Sequence, residues 1–222
     1  MSDCTSPVPV DPPADCTECP RLVGLRNDLK NQFPDWFNAP VPSFVSSDAP
    51  GLMIVGLAPG MRGANRTGRP FTGDYAGDLL YETMIEFGFA SGTYRADPKD
   101  GLTLQGAMIT NAVRCLPPEN KPTGPEVKNC RPFLLSTLDA NPSVRAVLAL
   151  GRIAHDTFLS TLALRRAAHP FAHGAHFDLG VRNLMLFDSY HCSRYNTNTG
   201  RLTPDMFRSV FASIKKFLET RD

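Results

Sequence analysis

Leu52-Met53-Ile54-Val55-Gly56 is a five-residue run set between the turn signal Ala49-Pro50-Gly51 and a long loop rich in glycine and arginine. It is apolar throughout rather than at alternate positions. That pattern reads as a strand covered on both faces. Segments 107–113, 144–150 and 183–187 read the same way. Helix-period stretches separate and follow them. The first covers 74–87, with Leu79, Leu80, Met84 and Phe87 on one face. A second covers 124–139, capped by Thr123 with Pro125 in its first turn, and a third 152–162. The last covers 204–219, capped by Thr203. Ahead of the first strand, Leu22, Leu25, Leu29 and Phe33 give helical spacing over 21–37. Strands alternating with helices predict an α/β fold of three layers, α/β/α, around a central, mainly parallel four-stranded sheet.

The chain has 222 residues, of which 42% are hydrophobic, enough for one core and one domain over 16–222. Residues 1–15 are proline-rich and read as a flexible tail. A formal net charge of +1 gives no global signal for nucleic acid, so any basic surface is local. No apolar run approaches the ~20 residues of a membrane span. The first residues lack the basic and apolar regions of a secretory signal. A cytoplasmic protein with reduced thiols is the expectation.

Under that expectation the cysteines matter. Cys16 and Cys19 form C-x-x-C, Cys115 follows the second strand, and Cys130 shares a helix face with Val127, Leu134 and Leu138. Four thiolates so grouped can close one site. Zinc and iron–sulfur clusters both accept four cysteines. One close pair with two separate ligands favours a cluster, since structural zinc more often takes two close pairs. Scattered buried thiols are the plainer alternative. Cys4 and Cys192 read as non-ligands.

Ligands of open α/β sheets bind outside the carboxyl ends of the strands. Three loops there carry unusual residues. The first runs Gly56-Leu57-Ala58-Pro59-Gly60 and on to Gly68-Arg69-Pro70-Phe71-Thr72-Gly73-Asp74. It has neither the dinucleotide fingerprint nor the Lys-Ser/Thr of a P-loop. Its glycines let backbone amides approach a ligand, Phe71 can face a flat group, and Asp74 opens a helix. Taken alone, Asp74 also reads as an N-cap and Phe71 as core. The second loop presents Asn111, whose amide both donates and accepts. The third, 189–201, holds His191, Ser193, Arg194, Tyr195 and Arg201, side chains suited to phosphate and sugar oxygens.

Together, Gly56-Leu57-Ala58-Pro59-Gly60, Gly68-Arg69-Pro70-Phe71-Thr72-Gly73-Asp74, Asn111 and His191-x-Ser193 resemble the uracil-DNA glycosylase superfamily over about residues 16–220. The cysteine pattern resembles its [4Fe–4S] branches, and Ala58, where most members place a water-positioning polar residue, resembles the fifth family. The resemblance implies catalytic Asp74, His191 and Asn111, and a base pocket of Gly56, Leu57, Ala58, Gly60, Phe71, Asn111 and His191. It also implies DNA contacts by Ser193, Arg194, Tyr195 and Arg201, and a cluster on Cys16, Cys19, Cys115 and Cys130. Cys192 departs from the proline common after this histidine. The implied partner is DNA containing uracil or other deaminated bases, hypoxanthine included. No protein partner is inferable, and a monomer is expected. Two other readings stay open. One is a non-catalytic iron–sulfur damage sensor. The other is a phosphate-ester hydrolase with a metal on His169, His173 and His176.

Overall fold

The computed structural model describes residues 10–220. Four parallel strands form the centre: β2 (Leu52–Gly56), β5 (Ala107–Asn111), β6 (Ala146–Leu150) and β8 (Met185–Ser189). Two short antiparallel strands, β1 (Phe44–Val45) and β7 (His176–Asp178), edge the sheet in the order β1-β5-β2-β6-β8-β7. The expected four-stranded sheet therefore has six strands. The edges escaped the sequence reading because they are two and three residues long and half-exposed, without an apolar run. A separate hairpin joins β3 (Ala90–Ser91) to β4 (Thr103–Leu104).

Alternate residues of the central strands serve opposite faces. Leu52, Ile54, Ile109, Leu148 and Phe187 pack with α3 (Tyr75–Glu86) and α7 (Pro204–Glu219). Met53, Val55, Met108, Val147 and Leu186 pack with α4 (Gly124–Asp139) and α5 (Arg152–Thr161). Both layers are filled, which explains strands buried at nearly every position. Each such Leu, Ile or Val contributes roughly 1.5–3 kcal/mol by leaving water.

Helix starts follow the local chemistry. On α4, Thr123 and Glu126 form a reciprocal capping box, with Pro125 in the first turn. Thr203 accepts from the Met206 amide to open α7. The first helix, α1, spans Pro20–Gln32 and stops short of the expected 37. There the Asn38 side chain donates to the carbonyls of Leu29 and Phe33, turning the chain. Strand β8 begins two residues late because Arg182 and Asn183 are left-handed, at φ 56° and 54°.

Of the expected tail, residues 1–9, with Cys4, lie outside the described residues. Residues 10–15 are not loose. Asp11 pairs with the buried Arg114 and accepts from Ser43, and the Val10 carbonyl accepts from Thr137. A buried guanidinium demands a carboxylate, and the segment supplies it.

Candidate functional site

Strand β2 lies between β5 and β6, so the chain reverses direction across the sheet between β2 and β6. A cavity of about 470 Å³ opens at the carboxyl ends of the strands there. It is lined by Leu57, Ala58 and Gly60 after β2, Asn111 at the end of β5, Leu150–Ala154 after β6, and His191, Ser193 and Arg194 after β8. Phe71 and Asp74 close the side toward α3.

Phe71 is held against its backbone preference. Its φ is 52°, a left-handed value that costs a side-chain-bearing residue about 1–2 kcal/mol. The neighbouring loop holds it there. Arg69 makes a two-pronged ion pair with Asp100 at 2.9 and 2.8 Å and donates to Thr72 Oγ1 at 2.7 Å. The Tyr81 hydroxyl donates to the Pro70 carbonyl and the Tyr94 hydroxyl to that of Phe71. Arg69 holds the Asp100 carboxyl well below the usual carboxylate range. Two glycines make room. A Cβ on Gly77 would stand 1.9 Å from the Phe71 carbonyl oxygen, and one on Gly56 would stand 2.4 Å from Asn111 Oδ1 and 2.7 Å from Phe71 Cζ.

The polar groups are poised rather than spent. Asn111 is 2% exposed, and its Oδ1 has no hydrogen-bond partner among the described residues. Asp74 stands at the N-cap position of α3 without a side-chain capping bond, and its Oδ1 is likewise buried and unpartnered. Its other oxygen packs against Gly60 and Gly63, where Cβ atoms would come within 2.9 and 2.3 Å. Burial raises the Asp74 pKa, opposed by the Gly77 and Ala76 amides. Burial pushes His191 down to about 4, so its ring is neutral, and it lies 5.8 Å from the Phe71 ring.

The third loop is better ordered than its composition indicates. Arg194–Asn198 form a short helix, α6, capped by Ser193. Cys192 is fully buried and donates to the Ala76 carbonyl at 3.4 Å, fastening the loop to the first turn of α3. His173 Nδ1 accepts the Tyr190 amide at 3.2 Å. Among the described residues no three His, Cys, Asp or Glu side chains gather as a single-ion site. The nominated His169 and His176 point elsewhere, to the Arg165 carbonyl and the Phe187 ring.

The structure therefore brings together Leu57, Ala58, Gly60, Phe71, Asp74, Asn111, His191, Ser193 and Arg194, with Gly56 beneath Asn111 and Phe71. Tyr195 and Arg201 do not line the cavity. Tyr195 is 72% exposed, and Arg201 lies over the Tyr190 ring at 4.5 Å. Sequence reasoning missed Gly63, Tyr75 and the Leu150–Ala154 edge. The last was findable, because it follows a strand that the apolar run had already marked.

Cys16, Cys19, Cys115 and Cys130 line a second, small hollow with Leu22, Val113 and Phe133. The Arg114 amide donates to Cys130 Sγ at 3.3 Å, and Asn129 lies 3.8 Å from Cys19 Sγ. Arg26, 7% exposed, also faces this hollow, and its Nε and Nη1 have no acceptor among the described residues. Four thiols and an unsatisfied guanidinium suit an anionic, thiolate-held group.

Comparison with known proteins agrees with this architecture. Residues 42–215 match the family model for the uracil DNA glycosylase superfamily. The chain is 47% identical over 208 residues to the type-5 uracil-DNA glycosylase of Thermus thermophilus, covering 90% of this chain and 93% of that protein. It is 40% identical over 200 residues to the type-5 enzyme of Pyrobaculum aerophilum, covering 88% and 85%. To a type-4 enzyme of Archaeoglobus fulgidus it is 35% identical over 112 residues, about half of each chain. The fold, the strand-end cavity and these likenesses agree: the chain belongs to the uracil DNA glycosylase superfamily, in its type-5 branch.

Proposed function

We propose that this protein removes uracil from DNA by hydrolysing the N-glycosidic bond, leaving an abasic site. The observation that carries the reading is the pair of buried, unpartnered acceptors, Asn111 Oδ1 and Asp74 Oδ1, in one cavity large enough for a nucleobase. A base inside a duplex cannot be attacked at C1′, so it is flipped into the pocket. Phe71 stacks on it. Asn111 Oδ1 accepts the imide N–H of uracil, and the amide nitrogen donates to the adjacent carbonyl.

The bond from C1′ to the base breaks with its electron pair going to the base. Negative charge grows mainly on O2. Neutral His191 and the backbone amides at Leu57 and Ala58 donate to it; such placed donors are typically worth about a hundred- to thousandfold each. Asp74 orients a water toward the positively charged sugar carbon and takes its proton. The base anion is later protonated by solvent. With Ala58 at the first-loop position and some 470 Å³ of space, the pocket also admits hypoxanthine. Release of base from inosine-containing duplex tests that extension.

Ser193 and Arg194 at the cavity mouth face the DNA backbone. Tyr195 stands out from the surface near them, and Arg201 joins them by leaving Tyr190. Cys16, Cys19, Cys115 and Cys130 would hold a [4Fe–4S] cluster, which supplies a structural crosslink between the start of α1, the loop after β5 and α4 rather than chemistry at the sugar.

The test is incubation with a uracil-containing oligonucleotide followed by alkaline strand cleavage. Wild-type protein is expected to give cleavage and Asp74→Asn to bind without cleaving. An Asp74→Asn variant as active as wild type would overturn the assignment.

A further inference from the structure

We propose that Arg26 is the charge partner of the thiolate-held group in the cysteine hollow and raises its reduction potential. The inference rests on the cluster reading above. Arg26 lies on α1, which begins immediately after Cys19. Its Nη2 donates to the Cys16 carbonyl at 2.9 Å, which fixes the guanidinium beside the C-x-x-C turn. Its Nε and Nη1 are buried without an acceptor, and among the described residues no carboxylate pairs with it. The two other buried arginines are matched, Arg69 by Asp100 and Arg114 by Asp11. A buried guanidinium without an anion is too costly to be retained as packing alone.

The anion it lacks stands across the hollow. Four thiolates outweigh the positive charge of a [4Fe–4S] core, so the assembled group is negative. The guanidinium keeps two N–H groups, Nε and Nη1, on different edges, that are not spent on protein acceptors. The Arg114 amide and Asn129 approach the sulfurs of Cys130 and Cys19 from other sides. Charge and hydrogen bonds around sulfur set cluster potentials. Adding an electron makes the group more negative, so a fixed cation favours the reduced state.

The experiment is an anaerobic redox titration of the purified, cluster-loaded full chain, followed by electron paramagnetic resonance. Wild type is compared with Arg26→Met, which keeps bulk and loses charge, and Arg26→Lys, which keeps charge and loses the fork. Arg26→Met is expected to show a reduced-to-oxidised ratio about tenfold lower at a given potential, a shift of about 59 mV for one electron. Arg26→Lys should lie nearer wild type. A loaded Arg26→Met with an unchanged potential overturns the inference and leaves the cluster reading standing. Wild-type protein that holds no iron or sulfide overturns both. If Arg26→Met fails to load, loading of Arg26→Lys upholds the charge requirement. Failure of both variants shows a demand for shape and ends the proposal.

Discussion

The base cavity and the cysteine hollow are both places where this fold buries polar atoms without partners, but with opposite polarity. In the cavity the unpartnered atoms are acceptors, Asp74 Oδ1 and Asn111 Oδ1. In the hollow they are donors, Arg26 Nε and Nη1. The cavity is large and lined by residues from the ends of four strands; the hollow is some twentyfold smaller and closed in by Leu22, Val113 and Phe133. A site of unspent acceptors suits a visitor that brings N–H groups and a water. A small site of unspent donors suits a resident anion. The first must tolerate its unmet demand through every turnover, and the second need not.

That difference is broken most severely at Asp74. Replacing Asp74 by Asn removes the carboxylate and should lower kcat by roughly a hundred- to ten-thousandfold while DNA affinity is kept. Stability should move the other way. The Asp74 pKa is raised in the fold, so the folded state favours the protonated acid. Its contribution to stability is full below the ordinary carboxylate pKa and is lost as pH rises through the raised value. At neutral pH the ionised form strains the fold, and Asp74→Asn should melt at a higher temperature than wild type. A lower Tm at pH 7 would mean that the Gly77 and Ala76 amides outweigh the burial of the carboxylate and that the cavity is not under demand.

His191 gives the next largest effect. His191→Ala should lose about a hundred- to thousandfold in kcat, the worth of one placed donor. With its pKa depressed to about 4, the ring is neutral at working pH. The acid limb of the kcat/KM profile then belongs to Asp74 and should be unchanged in the variant. For stability the sign is opposite to that of Asp74. The neutral ring is favoured in the fold, so this contribution is present above about pH 6.5 and lost as pH falls toward about 4. Urea melts from pH 7 to 4 should therefore lose less stability in His191→Ala than in wild type.

Much of this was legible in the sequence, for identifiable reasons. Strands buried on both faces must be apolar throughout, so Leu52–Gly56 and its three companions stood out. A threonine cap followed by a first-turn proline leaves a local signature, so α4 was legible over 124–139, while the reciprocal bond to Glu126 came only with the structure. The loop residues around the cavity were visible as a pattern, although their convergence is a property of strand order. What stayed hidden depends on distant partners. Nothing near Asp11 in sequence announces Arg114, and nothing near Arg69 announces Asp100. Cys192 looked like a departure from pattern until its contact with the Ala76 carbonyl gave it a place. The role of Gly63 is equally invisible, because the carboxylate it admits is eleven residues further on.

A milder challenge to the cavity is Gly56→Ala. The added methyl would press on Asn111 Oδ1 and the Phe71 ring, and neither can retreat easily. Overpacking of this kind costs about 1–3 kcal/mol, expected as a lower Tm together with a higher KM for uracil-containing DNA. An unchanged KM would show that Phe71 and Asn111 shift freely, contrary to the clamp through Arg69 and Asp100.

The smallest effect is expected where neither region reaches. Tyr195 is 72% exposed and lines neither cavity nor hollow. Tyr195→Ala should leave Tm almost unmoved, within the roughly 0.5 kcal/mol typical of surface changes. A side chain displayed in this way is useful only to a partner. If it enters the gap left by the flipped base, its removal should weaken binding to uracil-containing duplex by roughly 1 kcal/mol, the low end of an aromatic–base stack. Binding to single-stranded DNA, which has no gap to fill, should change less. Equal losses on both substrates would make Tyr195 a general contact and move the wedge elsewhere in the 189–201 loop.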